Sequence, residues 1–148
     1  MARFEFRLGK LLGVKEQIEN QKEIEYASAL RQVAEEKQRL AQFEDSKQKN
    51  IQGLRESIQK KIEPIEVRRY NNNLERLNHM IEVQKERIKA AEYMAEEKRL
   101  ELVEAMKERK ALEIVKDNAY EEFKKNEDIK ERKITDELTS YKYSLNLR

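Results

Sequence analysis

The sequence predicts an all-α fold, a long antiparallel two-helix coiled-coil hairpin, and three observations lead there. Charged residues make up 42% of the 148 residues and hydrophobic residues only 38%. That balance is too polar for a globular core of this length and suits long helices rich in Ala, Glu, Lys, Leu, Arg and Gln. Helix breakers are scarce, with 3 Gly and 1 Pro. The apolar residues recur at alternating steps of three and four, the mark of a coiled-coil seam. Low hydrophobicity with high charge is also the signature of disorder. Against that, the 32 basic and 30 acidic residues nearly cancel, and the apolar spacing is regular.

The breakers organise the elements. Gly9 and Gly13 lie near the N-terminus, Gly53 lies mid-chain, and Pro64 stands alone. Nothing forces a stop between Gly13 and Gly53 or between Pro64 and Arg148, and such spans exceed ordinary globular helices. The chain is therefore expected as one coiled-coil domain over 1–148. Its first helix covers about 3–60, the turn about 60–66, and the second helix about 65–145. Proline suits the first helical position and disfavours helix in the residue before it. A proline kink within one continuous helix is the alternative, and the Asn71-Asn72-Asn73 cluster is a second place for the turn.

The first stripe runs through Leu30, Val33, Leu40, Ile51, Leu54, Ile58 and Ile65, interrupted by Lys37, Glu44, Lys47 and Lys61. The second is longer: Leu74, Leu77, Ile81, Gln84, Ile88, Ala91, Ala95, Lys98, Leu102, Ala105, Arg109, Leu112, Lys116, Ala119 and Phe123. After Lys130 the phase slips by four residues, and Ile134, Leu138, Tyr141 and Leu145 begin a new stripe. Folding about residue 64 pairs position i with roughly 128 minus i. Leu30 then lies near Lys98, and Phe4 near Phe123. Residues from about 130 overhang without a partner. Their stripe is either a docking element or a frayed terminus.

Catalytic chemistry has little to work with. His79 is the single histidine and there is no cysteine, so no nucleophile, base and orienter set can be assembled. His79 sits beside seam positions, which suits a structural role. Three scattered glycines make no phosphate loop, no metal-ligand cluster is spaced for a site, and a thin coiled coil offers no concave pocket. We expect no enzyme activity and no cofactor. Mixed charge with a net of +2 argues against nucleic acid. No apolar run suggests membrane insertion, and Met1–Lys10 has no secretory h-region. The lack of cysteine fits a reducing cytosol. What remains is surface for gripping other proteins, with rings such as Tyr70, Tyr141 and Tyr143 as anchors.

Three stretches resemble one family. The opening is Phe4-Glu5-Phe6-Arg7-Leu8 with Leu11-Leu12 and Lys15-Glu16. A later part reads Glu108-Arg109-Lys110-Ala111-Leu112-Glu113, then Val115-Lys116, and Glu131-Arg132-Lys133 with Asp136-Glu137-Leu138. The centre holds Tyr70, Leu74, Leu77 and Ile81. Over nearly the whole chain this resembles the FliJ family of the bacterial flagellar type III export apparatus. Gly13, where a helix former is usual, and Val115, where leucine is usual, depart from the pattern.

The resemblance implies an antiparallel coiled coil similar to the central stalk of rotary ATPases. It would enter the export ATPase ring, promote ring assembly and coupling, and hydrolyse nothing itself. The implied partners are that ATPase and its regulator, the cytoplasmic linker of the export gate, and export chaperones. The implied location is cytoplasmic, at the membrane beneath the flagellum. For the ring contact it points to Phe4, Phe6, Arg7, Leu8, Arg109, Glu113, Asp136, Glu137 and Leu138, with simple seam packing the plainer role for Leu8 and Leu138. For the gate it points to Lys37, Ala41, Glu44 and Gln48 on the first helix and Asn73, Leu77, Met80 and Gln84 on the second. A structural coiled-coil spacer or scaffold, and the equivalent stalk of a virulence-type secretion system, are the alternatives.

Overall fold

A computed structural model describes residues 2–61 and 63–147. Two helices account for nearly all of it: α1, Gly9–Gln59, and α2, Pro64–Asn146. They pack against each other as a helical hairpin, and no strand occurs among the described residues. The kinked continuous helix is thereby excluded, and Asn71–Asn73 lie inside α2.

Each helix boundary has a local cause. Glu63 caps α2, its carbonyl accepting from the backbone N–H groups of Glu66 and Val67 at 3.0 and 3.3 Å. Pro64 then supplies a preset φ where no N–H is needed, and Glu66 places negative charge on the helix's positive end. At the other side of the turn, the Lys60 N–H bonds the Ser57 carbonyl at 3.1 Å and Lys61 adopts a left-handed φ of 57°. A left-handed residue just past the last turn is a common helix stop. Ile62 lies outside the described residues. The non-helical break is thus shorter than the expected 60–66. The first helix also begins later than about residue 3: residues 2–6 are irregular, and the Gly9 N–H bonds back to the Phe6 carbonyl at 3.0 Å.

Contacts group into two units, residues 21–103 and residues 1–20 with 104–148. In the first unit the seam of α1 passes through Lys22, Tyr26, Ala29, Val33, Glu36, Leu40, Phe43, Lys47, Asn50, Leu54 and Ser57, all buried or half-buried. This is a strict alternation of three and four. It corrects half of the expected stripe. Val33, Leu40, Lys47 and Leu54 hold their places and Ile51 is half-buried, but Leu30, Lys37, Glu44, Ile58, Lys61 and Ile65 are exposed, and Ala29, Glu36, Phe43 and Ser57 face inward. Facing them, α2 buries Leu77, Ile81, Gln84, Ile88 and Ala95, on the expected phase.

In the unit holding the termini, Leu12 and Ala105 are buried, and Ala119 and Phe123 are half-buried as the stripe expects, whereas Lys116 is exposed. Every described residue from Asp128 to Leu147 is exposed.

Polar groups interrupt both seams and are satisfied there. Gln84, only 1% exposed, donates through Nε2 to the Glu36 backbone carbonyl at 2.9 Å and to the Glu36 carboxylate. Gln32 Nε2 donates to the other Glu36 oxygen at 2.9 Å. Nearer the turn, Asn73 Nδ2 donates to Asn50 Oδ1 at 3.0 Å, and Asn50 Nδ2 donates to the Tyr70 carbonyl at 3.1 Å. In the other unit Arg109 donates to Glu19, itself 8% exposed. Pairs such as Lys22–Glu101, Lys37–Glu92 and Asn50–Asn73 descend on α2 as they ascend on α1, which makes the helices antiparallel. Glu36 meets Gln84 where folding about residue 64 would put residue 92, because the chain reverses slightly earlier.

Replacing Gln84 by leucine strips the Glu36 carboxylate of its buried donor. Urea unfolding followed by circular dichroism should show Gln84→Leu less stable by about 1–3 kcal/mol. The double variant Glu36→Leu/Gln84→Leu should regain most of that loss.

Candidate functional site

Two regions carry the residues that the sequence singles out, and each is built differently. In the unit with the termini, the irregular segment before α1 folds against α2. The ring of Phe4 lies 5.2 Å from Tyr120 in an edge-to-face arrangement and 5.4 Å from Phe123. Such centroid spacings are favourable for aromatic pairs. The Lys124 ammonium stands 4.8 Å from the Tyr120 ring centre, adding a cation–π contact. Phe6 and Leu8 are half-buried and Arg7 is exposed. The expected approach of Phe4 to Phe123 is therefore met, with Tyr120 as an added partner.

In the same unit Arg109 is held between Glu19 and Glu113, the latter at 2.8 Å, and Lys15 reaches Glu108 at 2.7 Å. The hydrogen bonds that Arg109 donates to Glu19 and then to Glu113 hold its guanidinium above its ordinary pKa. Arg109 and Glu113 are thus brought together, Arg109 as a strut of the seam. Asp136, Glu137 and Leu138 lie on α2 within the exposed stretch, Leu138 at 57%. Ile134, Tyr141 and Leu145 continue that stripe and are exposed too. The apolar stripe thus runs for about three turns along an uncovered part of the helix.

The other expected surface lies in residues 21–103. Ala41, Glu44 and Gln48 are exposed on α1, as is Lys37, which pairs with Glu92 at 3.4 Å. On α2 only Met80 and Asn73 are half-exposed, and Asn73 is occupied by Asn50 and Arg76. Leu77 and Gln84 are buried in the seam; they support this face from beneath and do not form its outer surface.

Sequence reading missed a charge quartet near the other end of this unit. Lys22 bonds Glu25 at 3.5 Å and Glu101 at 3.1 Å, while Lys98 bonds Glu25 at 3.3 Å and Glu101 at 3.5 Å. Each lysine thus bridges both carboxylates. The Lys98 hydrogen bond holds Glu25, and the Lys22 hydrogen bond holds Glu101, below the usual carboxylate range. The same bonds hold Lys98 and Lys22 above the usual lysine value. The signal was the three-residue spacing in both pairs, but only the observed register shows that they meet. Gly53 was also read merely as a breaker. A Cβ there would stand 3.2 Å from the Tyr70 ring, whose hydroxyl lies 3.4 Å from Ser57 Oγ. The glycine makes room for Tyr70 to lie across α1.

Among the described residues no cluster of His, Cys, Asp or Glu is placed to hold a metal, and no helix is long and apolar enough to cross a membrane.

Comparison with known proteins gives two findings. The family model described as flagellar FliJ protein matches residues 4–148. A solved structure described as that of a candidate YscO homologue from Chlamydia trachomatis aligns with a TM-score of 0.69 at 21% identity, covering 97% of this chain and 98% of that one. At that identity the likeness establishes the fold. No curated protein matches.

Two outcomes follow from this geometry. The depressed carboxylates stabilise the fold above their ordinary value of 4.5 and lose that effect as pH falls below it. The raised lysines stabilise it below 10.5 and lose that effect as pH rises above. Melting temperature should therefore hold a plateau between these limits. Its fall below pH 4.5 should be shallower in Glu25→Gln/Glu101→Gln, and high salt should reduce the difference, since the groups are partly exposed. Separately, a double-mutant cycle on Phe4→Ala and Phe123→Ala should give a coupling of about 0.5–1.5 kcal/mol in thermal unfolding. Additive effects would mean that the ring pair contributes nothing.

Proposed function

Because the chain belongs to the FliJ family of the flagellar type III export apparatus, matched over residues 4–148, we propose that it is the stalk and adaptor that binds the export ATPase ring. It promotes ring assembly and couples hydrolysis to the export gate, and it performs no hydrolysis of its own. The observation that carries this reading is the uncovered end of α2. From Asp128 to Leu147 it is helical, exposed and striped with Ile134, Leu138, Tyr141 and Leu145, which is what insertion into a ring of subunits requires.

The ring contact is formed by Asp136, Glu137 and Leu138 together with Arg7, Phe6, Leu8 and Phe4 of the N-terminal segment. Arg109 and Glu113 complete it where their pair reaches the surface. The gate linker docks on Lys37, Ala41, Glu44 and Gln48 with Asn73 and Met80, a face underlain by Leu77 and Gln84. Export chaperones and the ATPase regulator are further partners. The site of action is the cytoplasmic side of the membrane at the flagellar base. The Chlamydia neighbour, described as a YscO homologue, favours as second reading the equivalent stalk of a virulence-type secretion system.

The test mixes the chain with the flagellar export ATPase and follows hydrolysis and ring formation. Stimulation of both is expected. Ile134→Asp/Leu138→Asp should abolish it with an unchanged melting temperature, since both side chains are exposed. No effect of the unaltered chain on either readout would overturn the proposal, and would leave a coiled-coil spacer as the better description.

A further inference from the structure

The start of α1 breaks the rules that the start of α2 obeys. Its first helical bond runs from the Leu12 N–H to the Leu8 carbonyl at 2.9 Å. That puts Leu8 at the cap, and leucine has no side-chain oxygen for the free N–H groups of a first turn. The turn holds no acidic residue. Lys10, exposed there, sets a positive charge at the positive end of the helix. Glycine weakens a helix, yet this start has two, Gly9 and Gly13, and packing requires neither. Neither has a left-handed φ, and a Cβ at either would meet nothing within 4 Å. By contrast, α2 opens on Pro64 with Glu66 in its first turn. Local rules broken with no gain in packing mark a place that serves something other than stability.

What this weak turn carries is a cover. Phe4, in the irregular segment before α1, lies on the rings of Tyr120 and Phe123 at 5.2 and 5.4 Å, and Leu12 is buried. With about 3.6 residues per turn, Ala119, Phe123, Ile134, Leu138, Tyr141 and Leu145 fall within about 100° of arc on α2. The rings beneath Phe4 therefore belong to the same face that lies uncovered from Asp128 onward. Withdrawing the segment would lengthen the uncovered apolar face from about three turns to about seven.

We propose that residues 2–13 form a releasable clasp on α2. They open by local unfolding of the Gly9–Gly13 turn while the rest of the hairpin stays paired, which frees Phe4 and bares Tyr120 and Phe123. Segments of low local stability are where proteins open first. For the ring contact proposed above, opening is what lets the Phe4 ring leave α2 and reach a partner, and that consequence rests on that reading. The clasp itself is a property of the free chain and is tested without the ATPase.

The chain has no tryptophan, so Phe123→Trp in the full chain places a single fluorescent probe against Phe4. Heating is followed by acrylamide quenching of that probe and, in parallel, by the helical circular dichroism signal. Quenching should rise in a transition of its own, below the temperature at which helix is lost. Adding Gly9→Ala/Lys10→Glu/Gly13→Ala strengthens the first turn and changes none of the rings. It should move the early transition up by at least about 5 °C. The midpoint of helix loss should stay in place, because that step starts from the chain already opened. Phe4→Ala should leave the probe open to quenching at every temperature. Quenching that rises only together with helix loss overturns the proposal, as does an early transition that the three substitutions fail to move. If Phe123→Trp itself lowers the midpoint of helix loss, Tyr120→Trp, at the other ring that Phe4 touches, takes its place as the probe.

Discussion

The hydrogen bonds of Gln84 to the backbone carbonyl and carboxylate of Glu36 set the register in which the two helices of the hairpin pair. Two helices lying side by side bury only one narrow face each, and among the described residues just six hydrophobic ones are buried: Leu12, Leu77, Ile81, Ile88, Ala95 and Ala105. Such a stripe, with the same three-and-four spacing throughout, would tolerate a slip of one helix by seven residues at little cost in buried area. Polar seam groups remove that freedom. A slip would leave the Glu36 carboxylate buried without its donor, and would separate Asn50 from Asn73. The penalty for an unmet buried polar group exceeds the gain from an average hydrogen bond, so these positions act mainly by excluding wrong registers. Replacing them with leucines can raise stability while losing that selection.

Charge does the remaining work nearer the surface. The Lys22, Glu25, Lys98 and Glu101 quartet and the Glu19, Arg109 and Glu113 set each join the two helices. Exposed ion pairs contribute little individually, but these alternate in sign and share partners, so that misaligned helices would face like charges. Lys22 and Lys98 are themselves half-buried, as a long stem with a charged head allows. This division suits the proposed role, in which one uncovered helix end is presented to a partner. The paired stretch is held by specific polar contacts, and the stretch from Asp128 onward can expose Ile134, Leu138 and Tyr141 without disturbing it.

Much of α2 was legible in the sequence, because its seam coincides with its largest apolar side chains: Leu77, Ile81 and Ile88 leave one possible phase. The α1 phase was not. Leu30 and Ile58 outweigh Ala29 and Ser57 in hydrophobicity, and both choices give the same three-and-four alternation. The deciding information lies across the seam, in what Gln84, Asn73 and Tyr70 require opposite them, and local periodicity does not contain it. Gly53 shows the same limit, since its role is set by the ring of Tyr70 on the other helix, not by its neighbours in sequence. The pairing of Phe4 with Phe123 was legible from the fold-back rule alone, while the irregular backbone that brings Phe4 there, in place of helix, was not. For the gate face, Leu77 and Gln84 came from resemblance, and only burial shows that they point inward.

The chain has no cysteine, so a spin-label pair can be introduced cleanly at Lys37→Cys and Glu92→Cys, diluted with unlabelled protein so that only intramolecular distances count. Lys37 Nζ and Glu92 Oε1 lie 3.4 Å apart, and electron–electron dipolar spectroscopy should return a single short distance. One continuous helix would separate the same positions by about 80 Å, and a distance of that order would contradict the antiparallel pairing on which the account stands.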